Sequence, residues 1–290
     1  MARIICVHGI GQQYGGEREQ HDRWLPALED GLSRALGPPP AGTTRLAPGD
    51  VDCVFYGDLF RPPGRLLAGH EPPWDAGDVG TGFEAELLAL YWAEAARVDP
   101  GVMPPDARTL ARTPRSVQAA LNALAKSRFF SGIALRAMVA DLRQVRRYLC
   151  EPGVRDAVQE RVAARVTDDT RLLVGHSLGS VVAYEALAAH PGWPVRALLT
   201  LGSPLGIRHL VRDRLSVPGG TPGDRPGPVS AWTNIADEGD VVALVKDLRP
   251  LYGPGITSHL VHNGPHAHDA ATYLRSDAAG RAIADACEIS

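Results

Sequence analysis

An α/β fold on a mostly parallel sheet is what this 290-residue chain predicts, and three segments carry the prediction. The β-branched run Ile4-Ile5-Cys6-Val7 and the apolar run Val51 to Tyr56 bracket an amphipathic helical pattern. Such a strand–helix–strand unit implies parallel pairing, because the helix carries the chain back to the same end of the sheet. The third segment, Arg171-Leu172-Leu173-Val174, runs directly into Gly175-His176-Ser177-Leu178-Gly179 and a further helical pattern.

Taken in order, the first strand ends in a glycine-rich loop, His8-Gly9-Ile10-Gly11. Residues 20–36 follow as a helix with Trp24, Leu25, Leu28, Leu32 and Leu36 on one face, stopped by Gly37-Pro38-Pro39-Pro40. The second strand spans 51–56. From Arg61 to about Cys150 no strand signal occurs, far more than one crossover helix needs. Helices are expected over 83–98, 114–126 and 133–149, with 126–132 (Phe129 and Phe130 exposed) as a hinge. This stretch reads as a helical insertion, so residues 1–60 and 151–290 form the core and 61–150 a cap. Arg136, Arg143, Arg146 and Arg147 give its third helix a basic face, read first as solvated and second as a docking surface. The sheet resumes at 172–174, with a helix over 178–190 and strands over 195–201 and 229–235. Residues 218–228 form a Gly/Pro-rich loop. A last strand covers 259–262 and a closing helix 270–287.

Bulk properties narrow the function classes. Hydrophobic content of 44% and charged content of 22% suit a globular chain with a sizeable core. A net charge of −3 offers nucleic acid no electrostatic handle. No apolar run reaches membrane-spanning length. The opening residues are already strand and loop, which leaves no room for a signal peptide. Cys6, Cys53, Cys150 and Cys287 follow neither metal nor disulfide spacing. A cytoplasmic protein with reduced thiols is expected.

The segment around Ser177 carries the chemistry. A serine on a sharp strand-to-helix turn is held in a strained backbone, its hydroxyl raised over the sheet edge. Gly175 and Gly179 remove the side chains that would collide as strand and helix close. The loop at His8 to Gly11 frees backbone N–H groups from sheet pairing, and such amides can face an oxygen that becomes negative. Serine needs an imidazole to take its proton, and the imidazole needs a carboxylate. Downstream of Ser177, Asp237, Glu238 and Asp240 compete for the carboxylate. His266 and His268 compete for the base, with His259 and His262 inside the last strand. Four close histidines also raise a metal site, but their spacing fits none clearly.

With its early His-Gly loop and Gly-His-Ser-Leu-Gly elbow, the chain resembles serine hydrolases of the α/β-hydrolase fold, in the lipase/esterase branch. The Leu201-Gly202-Ser203-Pro204-Leu205-Gly206 segment also matches that branch, with Ser203 expected as a second exposed serine. Relative to the full fold, the first two antiparallel strands are missing, which implies a minimal sheet of about six strands with helices on its faces. The resemblance implies that the N–H groups of Ile10 and Leu178 form the oxyanion hole, with His8 orienting the loop. It favours Asp240 over Asp237, because the family's acid directly precedes an apolar pair opening a helix. It favours His268 over His266, because His268 to Leu274 resembles the family's His-x(3 or 4)-Tyr-Leu ending. No cofactor and no metal is implied.

The expected activity is cleavage of carboxylic esters, of lipid or other apolar acyl type, through an acyl-enzyme. A thioesterase or acyltransferase would use the same residues. A non-catalytic binding module on the same fold is the competing class. The sequence leaves the oligomeric state open.

Overall fold

Every strand of the sheet is parallel. The computed structural model describes residues 2–61, 74–106, 114–130, 134–217, 225–227 and 229–290. Six strands, β1 (Ile4–Val7), β2 (Val51–Val54), β3 (Leu172–His176), β4 (Ala197–Leu201), β5 (Ala231–Asp237) and β6 (Ile256–Val261), pair in the order β2-β1-β3-β4-β5-β6. The chain thus starts near the middle, steps outward once, returns to β3 and then proceeds to the far edge. Between β1 and β3 the strand order reverses, and an open α/β sheet opens its crevice at such a point.

Helices cover both faces, which is why the strands read as nearly unbroken apolar runs rather than alternating ones. On one face lie α1 (Glu17–Leu36), α8 (Ala270–Leu274) and α9 (Asp277–Cys287). Their Trp24, Leu28, Leu32 and Ile283 meet Ile4, Cys6, Leu172 and Val174. On the other face lie α2 (Phe83–Val98), α3 (Pro114–Ala125), α4 (Leu135–Cys150), α5 (Pro152–Ala163) and α6 (Leu178–Ala189). There Val139, Leu142 and Val182 share one cluster with Ile5, Val7 and Leu173. Ile4, Ile5, Val7, Leu172, Leu173 and Val174 have no exposed surface, and each such side chain stabilises the fold by roughly 1.5–3 kcal/mol.

Several elements differ from the sequence expectation. Helix α5 was not anticipated, because residues 152–163 combine Pro152, Gly153 and four charges, and only Val158 and Val162 are buried. A short α7 (Arg249–Tyr252) is also additional. The closing helix divides into α8 and α9, since the Ser276 hydroxyl caps a new start by accepting the N–H of Ala279. Strand β6 begins at Ile256 rather than His259. The expected hinge over 126–132 and helix over 133–149 touch residues 131–133, and the 218–228 loop covers 218–224 and 228; these lie outside the described residues.

The arginines of α4 are engaged within the molecule rather than displayed. Arg143 donates to the Asp78 carbonyl and lies over the Trp74 ring. Arg146 bridges Glu84 and Glu151, and Arg147 reaches Glu151 and the Leu59 carbonyl. No helix among the described residues is long and apolar enough to cross a membrane.

Candidate active site

In an all-parallel sheet every strand-end loop emerges on the same edge. The loops after β1, β3, β4, β5 and β6 therefore converge, and each contributes to one site.

Ser177 stands between β3 and α6 with φ 53° and ψ −127°. Among the described residues, Glu288 is the other non-glycine at positive φ. Such a conformation costs on the order of 1–3 kcal/mol and persists only where the surroundings impose it. The surroundings do impose it. Ser177 N–H donates to the Leu201 carbonyl at 3.0 Å, and its own carbonyl accepts Ser180 N–H at 3.0 Å. A methyl group on Gly175 would lie 2.5 Å from Ser180 Cα, and one on Gly9 would lie 2.7 Å from Ser177 Cβ. Gly179 packs so tightly on the Val7 and His8 carbonyls that it too has no room for a side chain.

The loop after β1 faces the serine. His8 is buried, its Nδ1–H donating to the Gly9 carbonyl at 2.6 Å and its Nε2 accepting Tyr56 N–H at 3.2 Å. Its ring stacks on Tyr56 at 4.1 Å, and the Tyr56 hydroxyl donates to the His8 carbonyl. Burial pushes the His8 pKa down to about 4, so the ring is neutral and serves as a brace. Gly11 adopts φ 78°, in the left-handed region, and its N–H donates to Gln144 Oε1 on α4 at 3.3 Å. Among the described residues, the N–H groups of Ile10 and Leu178 have no hydrogen-bond partner.

Asp240 lies beyond β5 and is completely buried. Its Oδ2 accepts from His268 Nδ1 at 2.8 Å and from the Tyr273 hydroxyl at 2.7 Å. Its Oδ1 accepts the N–H groups of Val242 at 2.9 Å and Ala243 at 3.2 Å. No helix opens there, contrary to the family pattern; the two amides satisfy the carboxylate from an irregular turn. Burial opposes the charge, but His268, Tyr273 and Lys246 outweigh it and hold the carboxyl below its usual range. Asp237 takes a different part: its side chain accepts the N–H groups of Gly239 and Asn263, tying the turn to the end of β6.

His268 lines the same cavity as Ser177, whereas His266 sits exposed on a short turn before it. His176 Nε2–H donates to the His268 carbonyl at 2.8 Å, and the two rings lie 4.6 Å apart. Burial, helped by the neighbouring His268, pushes the His176 pKa down to about 3. The Ser177 hydroxyl makes no hydrogen bond among the described residues, and the same residues hold no group of three or more His, Cys, Asp or Glu side chains placed to bind a metal ion.

The cavity measures about 130 Å³ and is walled by Ile10, Leu88, Tyr91, Phe129, Met138 and Val242 with Ser177 and His268. Phe129 and Phe130 are half-buried against it rather than exposed. Asp141, from α4, brings one carboxyl into this apolar wall. Ser203, expected as an exposed serine, is 2% exposed: its oxygen accepts Leu205 N–H and pairs with Ser180 Oγ at 2.7 Å. Gly202, at φ 54°, supports the acid–base pair, since a methyl group there would lie 2.7 Å from Asp240 Oδ2.

Four contributors were not anticipated from the sequence: Tyr273, Gln144, Asp141 and Gly202. Tyr273 and Gly202 had a signal, through the family-like ending and the Leu201 to Gly206 segment. No protein-family model, curated protein or solved structure matches the chain.

Proposed function

We propose that the protein is a serine hydrolase of the α/β-hydrolase type that cleaves carboxylic esters with a small acyl group. Residues 1–60 and 151–290 make the catalytic core, and 61–150 a cap whose helices wall the acyl pocket. What supports this reading most is the strained Ser177 sharing one cavity with His268, whose Nδ1 is held by a fully buried carboxylate.

In the proposed reaction, Ser177 Oγ bonds to the acyl carbon as its proton passes to His268 Nε2. Asp240 keeps the other ring nitrogen protonated and stabilises the imidazolium. The N–H groups of Ile10 and Leu178 receive the negative carbonyl oxygen. The carbon–oxygen bond to the alcohol then breaks, and His268 gives its proton to the departing oxygen. Water attacks the acyl-enzyme by the same steps in reverse. A cavity of about 150 Å³ accommodates one benzene, so about 130 Å³ suits an acyl group of similar size.

Intact-mass labelling with a fluorophosphonate tests the reading on wild type, Ser177→Ala and His268→Ala. One adduct on wild type, absent from Ser177→Ala and slowed in His268→Ala, is the expected result. A wild-type protein that stays unlabelled under native conditions would sink the hydrolase assignment.

A further inference from the structure

Asp141 is out of keeping with its surroundings. Its neighbours in the cavity wall include Met138, Leu142 and Val145 from its own helix and the rings of Tyr91, Phe129 and Phe130. A carboxyl in such a setting is costly to bury unless it is paired. Two fully buried carboxylates on this side, by contrast, are paired. Glu84 accepts Gly80 N–H at 2.7 Å and Arg146 at 2.9 Å, and Glu185 accepts Ser216 N–H at 2.7 Å and the Tyr148 hydroxyl at 2.5 Å. Asp141 has neither a hydrogen bond nor an ion pair among the described residues. One carboxyl oxygen comes 3.6 Å from where a Gly11 side chain would begin, so the group sits beside the loop that faces Ser177.

No lysine or arginine lines the cavity among the described residues; its titratable walls are Tyr91, Asp141, His176 and His268. A negative group in a cavity that also holds aromatic side chains attracts a small organic cation twice over, through the charge and through the ring quadrupoles. A neutral acyl chain would leave the carboxyl without a partner, and a carboxylate-bearing substrate would be repelled.

We propose that this cavity binds a substrate carrying an alkylammonium group, with Asp141 as its counter-ion and Tyr91, Phe129 and Phe130 around it. That the cation belongs to an ester rests on the hydrolase reading; the cation site itself does not. Burial, opposed by His268, pushes the unpaired Asp141 carboxyl up to about 7, and a bound cation reverses that cost by keeping the charge paired.

Calorimetric titration at pH 8 with n-butylammonium and with 1-butanol, its uncharged counterpart, tests the site without any reaction. Wild type binds the ammonium at least tenfold more tightly than the alcohol, and Asp141→Asn, with the same shape, brings that ratio to about one. Cooperative thermal unfolding establishes that the variant is folded. Equal wild-type affinities, or a preference that survives in Asp141→Asn, overturn the proposal. A second comparison, of 4-nitrophenyl 6-aminohexanoate with 4-nitrophenyl heptanoate, separates the two ideas. Hydrolysis of both at equal kcat/KM overturns the cation site alone. Ammonium binding through Asp141 with neither ester cleaved overturns the hydrolase reading and leaves the cation site standing.

Discussion

Tyr273 and Asp240 are joined by a hydrogen bond of 2.7 Å, and it falls on the same carboxylate oxygen that His268 engages at 2.8 Å. The tyrosine oxygen also accepts Asp237 N–H at 2.8 Å, so it links the acid turn to α8. A buried carboxylate loses on the order of 1.5–3 kcal/mol when such a donor is removed. Tyr273→Phe should lower stability by that amount and reduce kcat about tenfold, since Asp240 then holds His268 less firmly. Chemical denaturation and ester kinetics on the purified variant check both. Unchanged kcat would assign the hydroxyl to the turn alone.

Gln144 ties α4 to the loop that carries Ile10. Its oxygen accepts Gly11 N–H at 3.3 Å and its amide donates to Gln13 Oε1 at 3.2 Å, with the residue 4% exposed. Gln144→Leu leaves two polar groups without partners, at a cost of about 1–3 kcal/mol each way of counting. If the loop presents an oxyanion donor, the interaction strengthens only in the transition state, so kcat should fall about tenfold with KM nearly unchanged. A rise in KM with constant kcat would point to ground-state binding instead.

What the sequence revealed was local. The elbow at Ser177 was legible because the clash that demands Gly175 arises within a few residues of chain, against Gly179 and Ser180, whereas the clash at Gly179 is with the distant Val7 and His8 carbonyls. The parallel sheet was legible for the same reason: a strand, a helix and a strand in succession leave few topologies. The preference for Asp240 over Asp237 rested on the resemblance alone, because both carboxylates accept turn amides and only the fold shows Asp240 meeting His268 beside α8. Gln144 and Asp141 carry no sequence signal at all: Gln144 reaches partners more than a hundred residues away in the chain, and the cavity beside Asp141 is assembled from several separate elements. Helix α5 was hidden by its composition, with two buried valines against a polar remainder.

Asp141 should make the protein less stable as pH rises. Its folded-state pKa is raised to about 7 from an ordinary 3.8, so the folded state keeps the proton longer than the unfolded one. No cost exists below pH 4; it grows between pH 4 and 7 and is complete above 7. The group is partly open to the cavity, which reduces the full effect to on the order of 2 kcal/mol. Asp141→Asn should therefore be more stable than wild type by about that much at pH 8, with the difference vanishing near pH 4. Urea unfolding of both proteins across that range measures it, and a pH-independent difference would contradict the burial account.

His176 acts with the opposite sign. Its folded-state pKa is lowered to about 3 from 6.5, because burial and the adjacent His268 both resist a second positive charge. The unfolded chain therefore takes up the proton first as pH falls. The stability His176 contributes is fully present above pH 6.5 and is lost on descending toward pH 3, at up to about 1.4 kcal/mol per pH unit. His8, lowered to about 4 by burial, adds to the same loss. His176→Gln keeps a donor for the His268 carbonyl but cannot titrate, so its stability should depend less steeply on pH between 6.5 and 4.5. Thermal unfolding at half-unit pH steps would show a constant offset between wild type and variant above pH 6.5, with wild type losing stability relative to the variant below it. Parallel curves would mean that folding leaves the proton affinity of His176 unchanged, and the burial account of its lowered pKa would have to be abandoned.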